Sequence, residues 1–248
     1  MNVTLHSYKG GTGKTLLSVN LATIFADMGK KVCLLDLDLR APSLSSTFDN
    51  TNSHWVNDYL NKSCKVDNIL VECTPSYIKT GKLFVGLADP STESIRDMSA
   101  KDRKWEMEAL GRLLSLKEQL KSMDFDYVIC DSSPGLQYSS INAIVAADAV
   151  LVVTSIDKSD VAGTQRMIRD LYDLYEKKTG IIVNKVPQTV ISGQSKLKLD
   201  THKLPIVSLV PCSCDVLQSG GDYLFAFEKR AHPVTQSLRN IAAHIQTM

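Results

Sequence analysis

Apolar residues along this chain follow two rhythms. In the first they form short, nearly unbroken runs, such as Val32-Cys-Leu-Leu35, Val150-Leu-Val-Val153 and Ile181-Ile-Val183. Runs of that length suit strands covered by helices on both faces. They predict strands at Asn2–Ser7, Lys31–Asp36, Lys82–Leu87, Tyr127–Asp131, Ala149–Thr154, Gly180–Asn184 and Ile206–Val210. In the second rhythm the apolar positions recur at helical spacing. It predicts helices over Thr15–Met28, Asp102–Ser122, Ser139–Ala147, Ser159–Glu176 and Pro233–Gln246, the last opening on a proline that suits a first helical turn. Alternation of the two is the mark of βαβ units. The expected fold is α/β: a doubly wound, mostly parallel sheet flanked by helices. Pro42–Lys82 is the least regular stretch, with short elements expected around Trp55–Leu60 and Ile69–Val71. No repeat, low-complexity tract or linker divides the chain, so residues 1–248 read as a single domain.

Composition narrows this picture only a little. With 28 basic and 27 acidic residues, nothing global argues for a polyanionic partner, although a local basic face is compatible with such a balance. No apolar run approaches the roughly 20 residues that span a bilayer. The chain opens on a strand-like Val3-Thr4-Leu5 and not on a basic stretch followed by an apolar one, which reads as cytoplasmic. Of six cysteines, Cys33 and Cys130 sit inside apolar runs as small hydrophobes. Cys212-Ser-Cys214 hints at a metal or redox pair, but no second Cys/His pair stands at zinc-site spacing, which favours a structural reading.

The chemistry begins between the first strand and the first helix, at Tyr8-Lys9-Gly10-Gly11-Thr12-Gly13-Lys14-Thr15. Glycines let consecutive backbone N–H groups converge on a phosphate, and the N-terminus of the following helix adds its dipole. Gly10, Gly11, Thr12, Gly13, Lys14, Thr15 and Leu16 are the expected nucleotide contacts, with Lys14 on the β- and γ-phosphates and Thr15 on Mg²⁺. The ordinary pattern G-x-x-x-x-G-K-[ST] fails at one position, where Tyr8 replaces the first glycine and a lysine, Lys9, follows.

The run Lys9–Thr15 resembles the deviant Walker A box of the ParA/MinD superfamily of P-loop NTPases. The resemblance implies that Lys9 reaches the phosphates of a nucleotide held by a second subunit. It also implies that ATP binding and assembly of a nucleotide-sandwich homodimer are linked. Two further motifs carry the likeness, both at strand ends where doubly wound sheets gather ligands. In Asp36-Leu-Asp38-Leu-Arg40, the resemblance makes Asp38 the residue that orients or activates the attacking water. Asp36 is then either an accessory group near the magnesium shell or a structural one. Leu39–Ser43 corresponds to the first switch, in which Arg40 contacts phosphate or makes a surface ion pair. Asp126-Tyr-Val-Ile-Cys-Asp131-Ser-Ser-Pro134-Gly135 resembles a Walker B strand, with Asp131 holding Mg²⁺ through water and Gly135 in a mobile turn. Asn184-Lys185 lacks the aspartate that reads guanine, since Pro187 stands there, so Asn184 is expected against adenine. Pro211 sits where relatives place a proline loop beside the base.

The resemblance leaves the cargo open. One reading is a spatial-positioning or partitioning ATPase, slow until an activating protein partner stimulates it. The MinD kind uses a basic amphipathic membrane helix after the last core helix. Here Leu238, Ile241, Ala242 and Ile245 read as a core stripe, and a dedicated membrane helix is not expected. A ParA-like DNA binder would need a basic surface, for which Lys196, Lys198, Lys203, Lys229, Arg230 and Arg239 are candidates. Alternatives are an iron–sulfur carrier of the Mrp kind, disfavoured because a C-x-x-C pair is missing, and a tyrosine kinase of the P-loop lineage, disfavoured because no tyrosine follows Tyr223.

Overall fold

The computed structural model describes residues 1–172, 177–194, 199–218 and 224–248. Within them the chain runs β1 (Asn2–His6), α1 (Lys14–Asp27), β2 (Lys31–Leu37), α2 (Val56–Leu60), β3 (Leu70–Glu72), β4 (Lys82–Gly86), α3 (Thr92–Ala100), α4 (Arg103–Ser122) and β5 (Tyr127–Ser132). It continues through α5 (Tyr138–Ala146), β6 (Ala149–Thr154), α6 (Lys158–Met167), a π-helical turn (Ile168–Tyr172) and β7 (Lys178–Val186). The last elements are α7 (Gln188–Ile191), β8 (Ile206–Pro211), α8 (Cys214–Gln218), α9 (Phe225–Glu228) and α10 (Pro233–Thr247).

The strands form one sheet in the order β3-β4-β2-β5-β1-β6-β7-β8. Every pairing is parallel except β3 against β4. Side chains of a strand alternate between faces, and β2 shows why both faces had to be apolar. Val32 and Leu34 join the layer of α1 and α10, while Cys33 and Leu35 join the layer that holds α2 and α4. A third cluster packs Met167, Ile168 and Tyr172 over Val150, Val152 and Ile181. The stripe Leu238, Ile241, Ala242 and Ile245 of α10 is fully buried, as its spacing predicts.

Three expectations need adjusting. The helix expected over Ser159–Glu176 is α-helical only to Met167 and then widens into the π-turn; residues 173–176 lie outside the described set. The strand expected at Gly180–Asn184 extends at both ends, because its backbone pairs with β6 from Lys178 onward and with β8 as far as Val186. Helix α3 was not expected: only Met98 on it is buried, so its sequence carries little apolar rhythm. Among the described residues no helix is long and apolar enough to cross a membrane.

Strand register places the acidic groups. Leu5 of β1 stands beside Asp131 of β5, and Asp131 stands beside Asp36 of β2. Two carboxylates and the strand that feeds the P-loop therefore end side by side at the carboxyl ends of the central strands.

Candidate nucleotide site

The loop from Ser7 to Gly13 closes over the end of β1. A Cβ added to Gly10 or Gly11 would meet nothing within 4 Å, so these backbones face open space. Gly13 is the N-cap of α1 with φ +94°, a left-handed conformation that glycine adopts without a Cβ penalty. A Cβ there would also overlap the Asn184 side chain. Among the described residues no side chain caps α1, which leaves its first-turn N–H groups to a ligand. Thr12 Oγ1 is buried with no hydrogen-bond partner among the described residues, a further unpaired polar group on the same loop. This donor set fits an anion.

Two cavities meet at Gly13 and Leu16. The larger, about 510 Å³, lies against Gly10, Gly11, Lys14, Thr15, Asp38 and Arg40. Its far wall is Ser133, Pro134 and Gln137 from the turn after β5. The smaller, about 140 Å³, is walled by Asn184, Lys185, Val210, Pro211, Val216 and Val234, with Cys212 and Ser213 at its edge. A cleft walled by charged and hydroxyl groups and joined to a largely apolar slot matches phosphates joined to an aromatic base.

Lys14 is buried, and its Nζ donates to Ser7 Oγ at 2.9 Å. Burial pulls its pKa down, while Asp131, Asp38 and Asp160 push it back up. Thr15 Oγ1 lies 3.3 Å from Ser43 Oγ, which ties the start of α1 to the segment after β2. Asp131 is buried and accepts from Ser18 Oγ at 3.3 Å. Burial raises its pKa to about 6, against the pull of Thr15 and Lys14. Asp38 accepts from Ser133 Oγ at 3.0 Å and from Ala41 N–H at 3.2 Å, and so links the two acidic strand ends. Asp36 is fully buried, with its oxygens on Asp38 N–H (3.1 Å) and Leu44 N–H (3.3 Å). Burial and the adjacent Asp131 raise its pKa well above the carboxylate norm. Its visible work is to shape the loop that presents Asp38.

Two residues that wall the smaller slot are braced onto the P-loop. Asn184 Nδ2 donates to Thr12 O at 2.7 Å, and its Oδ1 accepts from Lys185 N–H at 2.9 Å. Lys185, at φ +58°, sends its Nζ to Gly11 O at 2.7 Å. Asn184 therefore faces the slot while holding the loop, a pairing across 172 positions that local sequence patterns do not reveal.

Lys9 is half-exposed and sits on its own chain, 3.1 Å from Asp157 Oδ1 and hydrogen-bonded to Ser159 Oγ. Asp157 is the N-cap of α6, accepting from Ser159 N–H and Asp160 N–H. Those bonds, led by the Ser159 hydroxyl, hold its carboxyl far below the usual range. Tyr8, where a glycine would be ordinary, lays its ring on Gly163 of α6, and a methyl at 163 would collide with it. Arg40 hydrogen-bonds Gln137 and lies 3.7 Å from Glu106, a buried residue of α4 whose pKa burial raises.

Sequence reasoning missed Ser7, Asp157, Ser159, Gly163, Glu106 and Gln137. Asp157-Lys-Ser159 after a strand was readable as a helix cap; the others announce nothing until the sheet assembles. Cys212 and Cys214 are free and exposed, and among the described residues no group of three His, Cys, Asp or Glu is placed to hold a metal. Of the basic candidates, Lys203 and Lys229 are exposed, Arg230 lies 4.0 Å from Asp27, and Arg239 is partly buried. Lys196 and Lys198 lie outside the described residues.

Comparison with known proteins agrees with this geometry. The AAA_31 family model, an AAA domain, matches residues 2–183. The septum site-determining protein MinD of Thermotoga maritima is 25% identical, covering 98% of this chain and 87% of its own length. MinD of Synechocystis is 28% identical over 98% of this chain and 88% of its own. Among solved structures, Pyrococcus horikoshii MinD complexed with Mg-ADP superposes with a TM-score of 0.75 at 20% identity, covering 98% and 95% of the two chains. The McdA–ATP complex from Cyanothece gives 0.74 at 17% identity, covering 99% and 96%. A family match across well over half of the chain, on a P-loop fold, means that this protein belongs to the AAA_31 family, within the ParA/MinD superfamily.

Proposed function

We propose that the protein is an ATP-hydrolysing switch of the MinD/ParA kind that uses Mg²⁺, assembles as an ATP-sandwich homodimer and serves spatial positioning or partitioning. The observation that carries the reading is the uncapped start of α1 behind an open Gly10-Gly11 cradle, with Lys14 and Asp38 on the same cleft and buried Asp131 near Lys14 and Thr15. The related MinD structure with Mg-ADP and the McdA structure with ATP bear on the ligand, and the Aquifex aeolicus MinC:MinD complex bears on the existence of protein partners.

ATP supplies the transferable phosphoryl group and Mg²⁺ neutralises charge on its oxygens. Thr15 and Asp131 would hold the cation. Lys14 has only to exchange the Ser7 hydroxyl for phosphate oxygens, and Asp38 would orient water. Asn184 and Pro211 would flank the adenine. Two cations at the rim are engaged elsewhere: Lys9 on Asp157 and Arg40 between Gln137 and Glu106. Such a cleft hydrolyses slowly until a second subunit draws Lys9 away and an activating protein completes the switch geometry.

The test is light scattering and nucleotide turnover on the wild type and on Asp38→Ala. ATP should convert the variant from monomer to dimer without hydrolysis, and ADP should not. A chain that stays monomeric at saturating ATP would overturn the sandwich. Titrating DNA against the dimer at rising salt then decides the surface it uses, because phosphate-driven binding weakens steeply with salt.

A further inference from the structure

The strand that feeds the P-loop carries a buried histidine with two partners, and neither belongs to the phosphate cradle. His6 Nε2 lies 2.7 Å from Gly135 O, and Nδ1 is hydrogen-bonded to the Tyr172 hydroxyl. A carbonyl only accepts, so the ring proton sits on Nε2 and the Tyr172 hydroxyl must donate to Nδ1. Burial lowers the His6 pKa to about 4, consistent with a neutral ring. The direction of the whole relay is therefore fixed: Tyr172 to His6 to Gly135.

Gly135 is the pivot of the turn after β5, at φ +81°. Its N–H donates to Ser7 O at 2.8 Å, and its carbonyl also accepts from Ser140 Oγ at 2.8 Å. Both sides of this glycine are thus tied down, its N–H to the P-loop strand and its carbonyl to His6 and α5. While the N–H points at Ser7, it is not available to the cleft that Ser133 and Pro134 line.

We propose that His6, backed by Tyr172, is a latch on this turn and a positioning residue for the switch. Resting on the nucleotide reading above, the latch holds Gly135 on β1. The His6–Gly135 bond opposes any movement that would release Gly135 N–H from Ser7 and turn it toward the terminal phosphate of ATP. ADP, which lacks that phosphate, does not call for the movement. A latch of this kind lowers the apparent affinity for ATP by the rarity of the released turn and leaves ADP untouched.

The experiment compares AMPPNP and ADP affinities, with Mg²⁺, for wild type, Tyr172→Phe, His6→Gln and the double variant His6→Leu/Tyr172→Phe. Tyr172→Phe removes the hydroxyl that braces the far side of the ring, without touching the cleft, while the Gly135 carbonyl still holds the proton on Nε2. It should tighten AMPPNP by less than the double variant does, because the bond to Gly135 survives, with ADP unchanged. The double variant, which removes the bond to Gly135 and leaves no half-satisfied ring, should tighten AMPPNP about three- to tenfold, the worth of one net hydrogen bond, with ADP unchanged. His6→Gln keeps a donor and an acceptor side by side and should stay near wild type. An unchanged AMPPNP-to-ADP ratio in a cooperatively melting double variant, or a His6→Gln that shifts as far as the double variant, overturns the latch alone. A wild type that binds neither nucleotide overturns the nucleotide reading and the latch with it.

Discussion

Asp131 offers a test in which stability and activity should move in opposite directions. Its carboxylate is buried at the end of β5 beside buried Asp36, and its pKa rises from 3.8 to about 6, chiefly through desolvation. At about 1.36 kcal/mol per pKa unit, that displacement makes the ionised form cost the nucleotide-free fold about 3 kcal/mol. The raised value means that the folded protein binds more protons than the unfolded chain between pH 3.8 and about 6. Stability on this account falls as pH rises through that window, and the cost is complete above it. Asp131→Asn keeps the shape and an acceptor for Ser18 but removes the charge; it also relieves Asp36, whose pKa Asp131 helps to raise. Lys14 loses one opposing charge in exchange, so the expected net gain is about 1–3 kcal/mol at neutral pH. For a chain of this size that is roughly 2–12 °C in Tm. Urea unfolding in EDTA, without nucleotide, at pH 7.5 and at pH 4 measures it. The variant should be the more stable at pH 7.5 and lose its advantage at pH 4. With Mg-ATP added the order should reverse, because only the wild type gains ligand linkage. A variant no more stable at pH 7.5, or equally favoured at both pH values, would refute the reasoning.

Other perturbations separate the parts of the site. Lys9→Ala should bind ADP like the wild type but fail to dimerise on ATP in light scattering; normal dimerisation would end the role in trans. Asn184→Ala deprives Thr12 O and Lys185 N–H of partners, which should cost on the order of 1–3 kcal/mol in urea unfolding and weaken ADP binding in calorimetry. Gly163→Ala should destabilise by about 1–3 kcal/mol through overlap with the Tyr8 ring. Adding Tyr8→Gly should recover much of that loss, and strict additivity in the double-mutant cycle would show that the ring and the glycine are not coupled.

The readable features were local ones. Strand β1, the glycine loop and α1 announce themselves because periodicity and glycine placement both act within a few residues. Asp38 and Asp131 were legible as strand-end carboxylates, since doubly wound sheets put ligands there. What the sequence did not disclose comes from register and crossing chains. Asn184 reads as a base contact, yet its brace on Thr12 depends on β7 passing the P-loop. His6 reads as one more strand position; its role needs Gly135 and Tyr172, 129 and 166 residues away. Asp36 offered two readings, and its bonds to Asp38 N–H and Leu44 N–H, which favour the structural one, come from the fold of the loop after β2. Helix α3 escaped because a surface helix with one buried side chain leaves almost no stripe.

Helix α6 gathers the entrance of the P-loop into one unit. Three residues in close succession, His6, Tyr8 and Lys9, meet the helix and its π-turn at Tyr172, Gly163 and the Asp157–Ser159 cap. These contacts differ in how easily they can be given up. Tyr8 is held by shape, and displacing it would empty the space over Gly163. Lys9 is held by an exposed ion pair, which water and a competing anion can replace. Asp157 meanwhile keeps its bonds to Ser159 N–H and Asp160 N–H when the lysine departs, so α6 does not lose its cap. The lysine that the proposed dimer needs is therefore the contact whose release disturbs the helix least. A tyrosine in the place of the first glycine then has a physical reason: it fixes the backbone on α6 and leaves the next side chain free to exchange partners.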